Sequence, residues 1–144
     1  MKTHILLAAA LVSSSCTTAP AASGPAPLPA GSANLRLGEE ARLGDLSVRP
    51  LRIVEDSRCP ASVQCVQAGT VRLAVRLSDR RGTREVLLRL GVGEPVAGGG
   101  SIRLLAACPY PRAPGAIRSA DYSFLISAGA DGAHSPASYP CPSA

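Results

Sequence analysis

The stretch VRLAVRLSDRRGTREVLLRL, residues 71–90, decides how this chain folds. Apolar residues occupy alternate positions in 71–77 and again in 86–90, and arginine fills three of the five positions between them. A period of two places one face of a strand in a core and the other in water. Between the two runs lies a polar turn that ends in glycine, DRRG at 79–82. The stretch therefore predicts a β-hairpin.

The same period recurs on both sides of this hairpin, and no window shows a helical stripe. Residues 34–37 start a short strand, and 101–106 and 121–127 alternate clearly, with Ala106 and Tyr122 among the inward positions. In 46–54 the phase slips around Arg49-Pro50; because proline cannot donate to a ladder, we expect a bulge or an edge strand there. The glycine-rich stretch 91–101 is interpreted as a hairpin loop.

These patterns predict an all-β fold. We expect a small antiparallel β-sandwich or open barrel of about six to seven strands, stapled by disulfides. The predicted core consists of Val48, Ile53, Val71, Leu73, Val75, Val86, Leu88, Ile102, Leu104, Phe124 and Ile126.

The N-terminus is typical of an exported protein. An eight-residue apolar run at 5–12 is too short for a membrane span, which needs about 20 residues, so residues 1–15 are a predicted signal peptide. VSSSC at 12–16 resembles the lipobox of bacterial lipoprotein precursors, which implies lipidation of Cys16. The alternative is ordinary signal cleavage after 19–21 (APA), which would remove Cys16. Residues 17–33 are an uncharged Pro/Ala/Ser/Gly tract that we expect to be a flexible tether.

The remaining chain divides into a β domain at 34–127 and a low-complexity tail at 128–144. Without the signal, the 15 basic residues lose Lys2, which leaves 14 arginines against 10 acids. There is no tryptophan, and only one phenylalanine and three tyrosines are present, so a nucleic-acid surface is not expected. Arginines of the 71–90 hairpin could instead bind anionic envelope ligands such as lipopolysaccharide phosphates.

Four cysteines follow Cys16, and two of them lie in EDSRCPASVQCVQAG, residues 55–69. An even number in an exported chain indicates disulfides, with three possible connectivities. We favour Cys59–Cys65 and Cys108–Cys141, with chain-entropy contributions of about 2.4 and about 3.8 kcal/mol. The C-x5-C spacing is not that of a dithiol oxidoreductase. Cys59, Cys65, Cys108 and His134 could be assembled into a metal site on paper, but oxidation is favoured and no metal is expected.

The pattern DSRCP-x3-QC-x2-AG resembles a motif of small uncharacterised bacterial envelope proteins, mostly lipoproteins. The similarity runs from about Leu35 to Ile126 and takes in YPRAPGAI and ADYSF. In those proteins the residue before AG is usually tryptophan, whereas this chain has Gln67. The resemblance implies an envelope protein and implies no activity.

Glu55, Asp56 and Arg58 are the candidate binding edge. The two carboxylates follow a strand, where they could instead accept loop N–H bonds, and Arg58 could pair with either. Gly69 would let the chain turn into the next strand. A purely structural role for these residues is the favoured interpretation, and a binding edge is the alternative.

No catalytic device is predicted. His4 leaves with the signal, His134 lies in the tail, and no nucleophile elbow, zinc-protease or phosphate-loop motif is present. The sequence predicts a non-catalytic envelope lipoprotein domain without cofactor, which binds a protein or structural partner. Its expected place is the periplasmic side of the outer membrane, or the soluble periplasm if Cys16 is not lipidated. The alternatives are a binder of anionic envelope ligands and a protease inhibitor that presents Arg58 on the stapled loop.

Overall fold

The computed structural model describes residues 31–129 and Cys141. The predicted signal peptide, Cys16, most of the tether and the tail with His134 lie outside the described residues. Within those residues, no helix has the length and apolar character needed to cross a membrane.

Two antiparallel four-stranded sheets form the described fold, so the all-β prediction is confirmed. The strand orders are β1-β8-β7-β6 and β2-β3-β4-β5, and the sheets do not close into a barrel. The elements are β1 (Ser32–Leu35), β2 (Ala41–Leu43), β3 (Leu46–Asp56), β4 (Val71–Asp79), β5 (Gly82–Arg89), β6 (Gly93–Pro95), β7 (Ser101–Cys108), a 3-10 turn (Ser119–Asp121) and β8 (Ser123–Gly129). The described part holds eight strands, whereas six to seven were predicted. The three-residue strands β2 and β6 are too short for an alternation of apolar and polar residues to be recognised in the sequence.

The predicted hairpin is β4 and β5. Their register is unbroken from Arg72 opposite Arg89 to Asp79 opposite Gly82. Gly82 adopts a positive φ of 108°, which explains the glycine at the end of the turn. The apolar face of β4 is fully buried, and this face fixes the orientation of the whole second sheet.

The main core lies between the two sheets. Nine of the eleven predicted core residues are fully buried; Ile53 and Val86 are instead half-buried and pack against the edge of the core. Both lie near a margin of the second sheet, where fewer side chains cover them. The core cluster also contains Leu46, Leu77 and Tyr122, which lie on predicted inner faces, and Leu35, Leu43, Val96 and Ala107, which were not predicted.

β3 carries the expected irregularity. Its register against β4 shifts between Pro50 and Arg52, and again between Ile53 and Glu55. The bulge near proline is therefore confirmed, whereas an edge strand is wrong, because β3 lies between β2 and β4. Pro50 lies just beyond the part of β3 that β2 covers, and its carbonyl accepts the Gly38 N–H at 2.8 Å.

β7 departs from its predicted phase. Its register against β8 shifts between Leu104 and Ala106, so one extra residue, Leu105, interrupts the alternation. Leu105 is fully buried and Ala106 is only half-buried, so the inward placement of Ala106 is wrong. Ala107 takes the inward position instead, which places its carbonyl near the cysteine loop.

The stretch 91–101 is more than a hairpin loop. It contains β6, which pairs with β7, and a turn closed by the Val96 N–H to Gly100 carbonyl hydrogen bond of 3.3 Å. The chain enters this hairpin from β5 by crossing between sheets, where Leu90 forms an isolated parallel bridge with Leu104.

Candidate functional site

The first arrangement of interest is an internal ion pair below the cysteine loop. Arg58 is only 7% exposed, and its Nη2 and Nε lie 2.6 and 2.9 Å from the two carboxylate oxygens of Asp56. Its Nη1 donates to the carbonyl of Ala107, and Nη2 also donates to the carbonyl of Pro109 at 3.1 Å. The Tyr122 hydroxyl donates to Asp56 Oδ2 at 2.7 Å. The guanidinium therefore ties the end of β3 to the end of β7.

Both acids of this network have shifted pKa values. Burial opposes ionisation of Asp56, but hydrogen bonds from Arg58 and Tyr122 outweigh it, so the pKa of this carboxyl lies below its usual value. Burial, followed by the hydrogen bond to Asp56, raises the pKa of Tyr122 to about 12. Asp56 is thus an anion and Tyr122 a neutral donor across the ordinary pH range.

Alkaline pH should break this network. Because the folded pKa of Tyr122 lies above the unfolded value of about 10, its contribution is full below pH 10 and is lost as pH rises towards 12. That difference corresponds to about 3 kcal/mol of unfolding free energy. Urea unfolding between pH 9 and 12 measures it. Tyr122→Phe should abolish the step, and Tyr110→Phe, at an exposed tyrosine, should preserve it. An unchanged step in Tyr122→Phe would refute the assignment.

The structure separates the three residues of the predicted binding edge. Asp56 and Arg58 point inward, whereas Glu55 lies on the outer side, accepts the Ser57 hydroxyl at 2.9 Å and forms a 3.8 Å ion pair with Arg72. No common binding edge results. Arg58, which the inhibitor alternative would present to a protease, is buried in its ion pair with Asp56 and is not displayed on the loop surface.

The spacing of the cysteine motif has a structural explanation. The Ser57 N–H donates to the Thr70 carbonyl at 2.9 Å, and the Thr70 N–H donates to Ser57 Oγ at 3.0 Å. Gly69 passes so close that an added Cβ would lie 1.6 Å from the Ser57 carbonyl oxygen. Glycine is therefore required by backbone approach, and not by a left-handed φ.

Both disulfides occur with the predicted pairing, Cys59–Cys65 and Cys108–Cys141. The loop after Cys108 lies against the first cysteine loop, since the N–H groups of Ala61 and Ser62 donate to the carbonyls of Pro111 and Arg112 at 3.0 and 3.1 Å. Pro111 is buried in this contact. The CPYPRAPG segment at 108–115 thus supports the loop.

A groove of about 260 Å³ lies beside the ion pair. Its wall is about equally polar and apolar, with Ile53 and Ile117 beside Asp56, Arg58 and Tyr122. In the described part of the chain, every buried side-chain polar atom has a partner, so no unsatisfied polar group points into the groove. Residues 31–129 and Cys141 also contain no group of three His, Cys, Asp or Glu side chains that could hold a metal ion.

The second arrangement is a cationic surface, which we call the arginine face. It is the outer side of the β2-β3-β4-β5 sheet, opposite the core, and its members alternate with buried residues or lie opposite outward positions on the next strand. Its arginines are Arg42, Arg49, Arg52, Arg72, Arg76 and Arg89.

Two glutamates from the strands share this face, which leaves an excess of positive charge. Glu85 pairs with Arg52 at 2.6 Å, and Glu55 pairs weakly with Arg72. The hydrogen bond from Arg52, aided by the charges of Arg52 and Arg76, holds the pKa of Glu85 below its usual value. Among the described residues, the arginines of the face that form no salt bridge are Arg42, Arg49, Arg76 and Arg89.

The register brings like charges together. Arg72 lies directly opposite Arg89, and Arg49 lies directly opposite Arg76. The Leu90 N–H donates to the Val71 carbonyl, so the Arg72–Arg89 pair is of the non-hydrogen-bonded type, in which side chains approach most closely. Like charges in such positions repel each other; Glu55 opposite Arg72 and Glu85 opposite Arg76 offset part of this repulsion, and a bound anion would relieve the rest.

Only part of this surface was predicted from the sequence. The hairpin arginines were expected to bind anions, but Arg84 instead points inward and pairs with Asp79. The hydrogen bond from Arg84 holds the pKa of Asp79 well below its usual range. Arg42 and Arg49 were recognisable from their alternation with apolar neighbours. Arg52 was recognisable in the same way, because it precedes the predicted core residue Ile53 after the phase slip at Pro50.

No family model, curated protein or solved structure matches this chain. The likeness of its cysteine motif to small envelope proteins therefore stays a prediction.

Proposed function

We propose that this chain is a non-catalytic binding module of the bacterial cell envelope, held by a lipidated Cys16 at the periplasmic side of the outer membrane. Three features support the proposal: the lipobox-like VSSSC, the uncharged tract that follows it, and two disulfides, which suit an oxidising compartment. In this proposal the cysteine loop has a structural role, since Arg58 and Asp56 form an ion pair with each other and are not available to a ligand.

The ligand class follows from the arginine face. The observation that supports it is the presence of two pairs of directly opposed arginines, Arg72 with Arg89 and Arg49 with Arg76. Guanidinium groups bind phosphate oxygens through two parallel hydrogen bonds, which makes arginine suited to phosphate recognition. We therefore propose that the face binds a phosphorylated envelope component, with lipopolysaccharide phosphates as the ligand.

Binding to lipopolysaccharide tests this proposal. The full chain carrying Cys16→Ala is titrated with lipopolysaccharide vesicles and with dephosphorylated ones, at rising salt. Intact vesicles should bind more tightly, and affinity should fall steeply as the Debye length shrinks from about 10 Å at 0.1 M to about 3 Å at 1 M salt. Arg72→Gln with Arg89→Gln should weaken binding by about tenfold or more.

The matched control is Arg81→Gln with Arg112→Gln, which removes two exposed arginines outside the face. An equal loss in this control would mean that net charge alone is sensed, and it would contradict the proposal. Equal binding of dephosphorylated vesicles would do the same. The anchor is checked separately, by incorporation of a labelled fatty acid that Cys16→Ala should abolish.

A further inference from the structure

The described fold has one long, regular sheet edge. Of the four edge strands, β2 and β6 have three residues each and β1 has four, and β6 also ends in Pro95. Short strands and proline are the usual means by which sheet edges avoid pairing. β5 has eight residues, contains no proline, and is free of register shifts against β4. It is the edge most able to accept another strand.

Alternate residues of β5 direct their backbone N–H and C=O groups away from β4. Leu90 bonds to Val71 on β4, so the even-numbered residues of β5 pair with β4 and the odd-numbered residues direct N–H and C=O outward. The outward set is Thr83, Glu85, Leu87 and Arg89, and the described residues place no strand against it. The Arg89 carbonyl also accepts the Val92 N–H in a turn. Leu87 is 40% exposed at the middle of this set.

We propose that β5 pairs antiparallel with β5 of a second copy of this chain, about a twofold axis at Leu87. In this register Leu87 faces Leu87 of the second copy, and Glu85 of each copy faces Arg89 of the other. The interface therefore contains one apolar contact and two opposite-charge pairs, and both kinds stabilise a sheet. The interface is isologous, as expected for a twofold dimer.

Competing registers are less favourable. An axis at Glu85 would place two glutamates directly opposite each other. A shift by one residue would turn the core side of one strand towards the solvent side of the other. Self-pairing about Leu87 joins the two sheets into one continuous sheet with both arginine faces on the same side.

A cysteine at the axis tests the register. In the full chain with Cys16→Ala, Leu87→Cys should form a disulfide between two copies under mild oxidation, because directly opposed hydrogen-bonded residues lie about 5.5 Å apart at Cα. Thr83→Cys is the control and should stay uncrosslinked, because it does not face itself. Efficient crosslinking through Glu85→Cys instead of Leu87→Cys would overturn the proposed register.

Sedimentation velocity tests the dimer without crosslinking. We expect a dimer that Leu87→Lys weakens about tenfold or more, while Val63→Lys, at an equally exposed position of the cysteine loop, leaves it intact. Glu85→Arg should also weaken the dimer, and adding Arg89→Glu should restore it. A chain that stays monomeric up to about 100 µM, or a dimer unaffected by Leu87→Lys, would overturn the proposal.

Discussion

Replacing Arg58 by leucine is expected to lower the unfolding free energy by about 3–5 kcal/mol. The substitution leaves the Asp56 carboxylate beneath the cysteine loop without its cation, and it also leaves the carbonyls of Ala107 and Pro109 without their donor. Buried groups deprived of a partner carry the full cost of desolvation. Urea unfolding of the oxidised protein at neutral pH measures the effect.

The matched control is Arg118→Leu. Arg118 forms a similar two-bond ion pair with Asp121, but its side chain is 84% exposed, so the expected change is about 0–1 kcal/mol. Adding Asp56→Asn to Arg58→Leu should recover part of the loss, because the unpaired charge is removed. Equal effects of the Arg58 and Arg118 substitutions would mean that burial does not govern the strength of this ion pair.

Removing the disulfide between Cys108 and Cys141 is expected to cost about 3.8 kcal/mol, against about 2.4 kcal/mol for Cys59–Cys65. The two half-cystines are 33 residues apart in the first case and six in the second, so the longer loop gains more freedom in the unfolded chain. Paired serine substitutions and urea unfolding compare them. A reversed order would contradict the chain-entropy explanation.

The double removal has a separate expectation. The Pro111 and Arg112 carbonyls in the loop after Cys108 accept hydrogen bonds from the first cysteine loop, so the two disulfides stabilise the same region. Interacting sites give non-additive changes. The loss on removing both disulfides should therefore differ from the sum of the single losses.

Local alternation was sufficient to predict the hairpin, because β4 and β5 are adjacent in sequence and Gly82 marks their turn. It failed at Leu105, where one residue is inserted and the phase reverses without a signal of its own, whereas the proline indicated the bulge after Pro50. Alternation can show that a strand has an inner face, but it does not show where the register against the neighbouring strand shifts.

Arg58 illustrates the second limit. An arginine next to a cysteine in a polar stretch is expected at the surface. Its burial depends on a carbonyl of β7 and, through Asp56, on the Tyr122 hydroxyl, which is 66 residues away in sequence from that carboxylate. No local pattern encodes this meeting, although the aspartate two residues before the arginine indicated a pair. Gly69 was predicted as a turn residue, whereas its reason is the approach of Ser57.

The pairing of β1 with β8 has a consequence for the order in which the fold can form. Ser32 lies opposite Ser127 and Leu35 lies opposite Phe124, so the first strand of the described fold cannot pair until the last strand is present. The β4–β5 hairpin can form as soon as residue 89 is free, but the first sheet cannot be completed until the chain has emerged to the end of β8. Closing a loop of that length costs entropy before any contact compensates, so completion is slow, on the scale of milliseconds to seconds. If the chain is exported through a pore in an extended state, the first sheet therefore cannot be completed, and cannot block the passage, until β8 has passed through the pore.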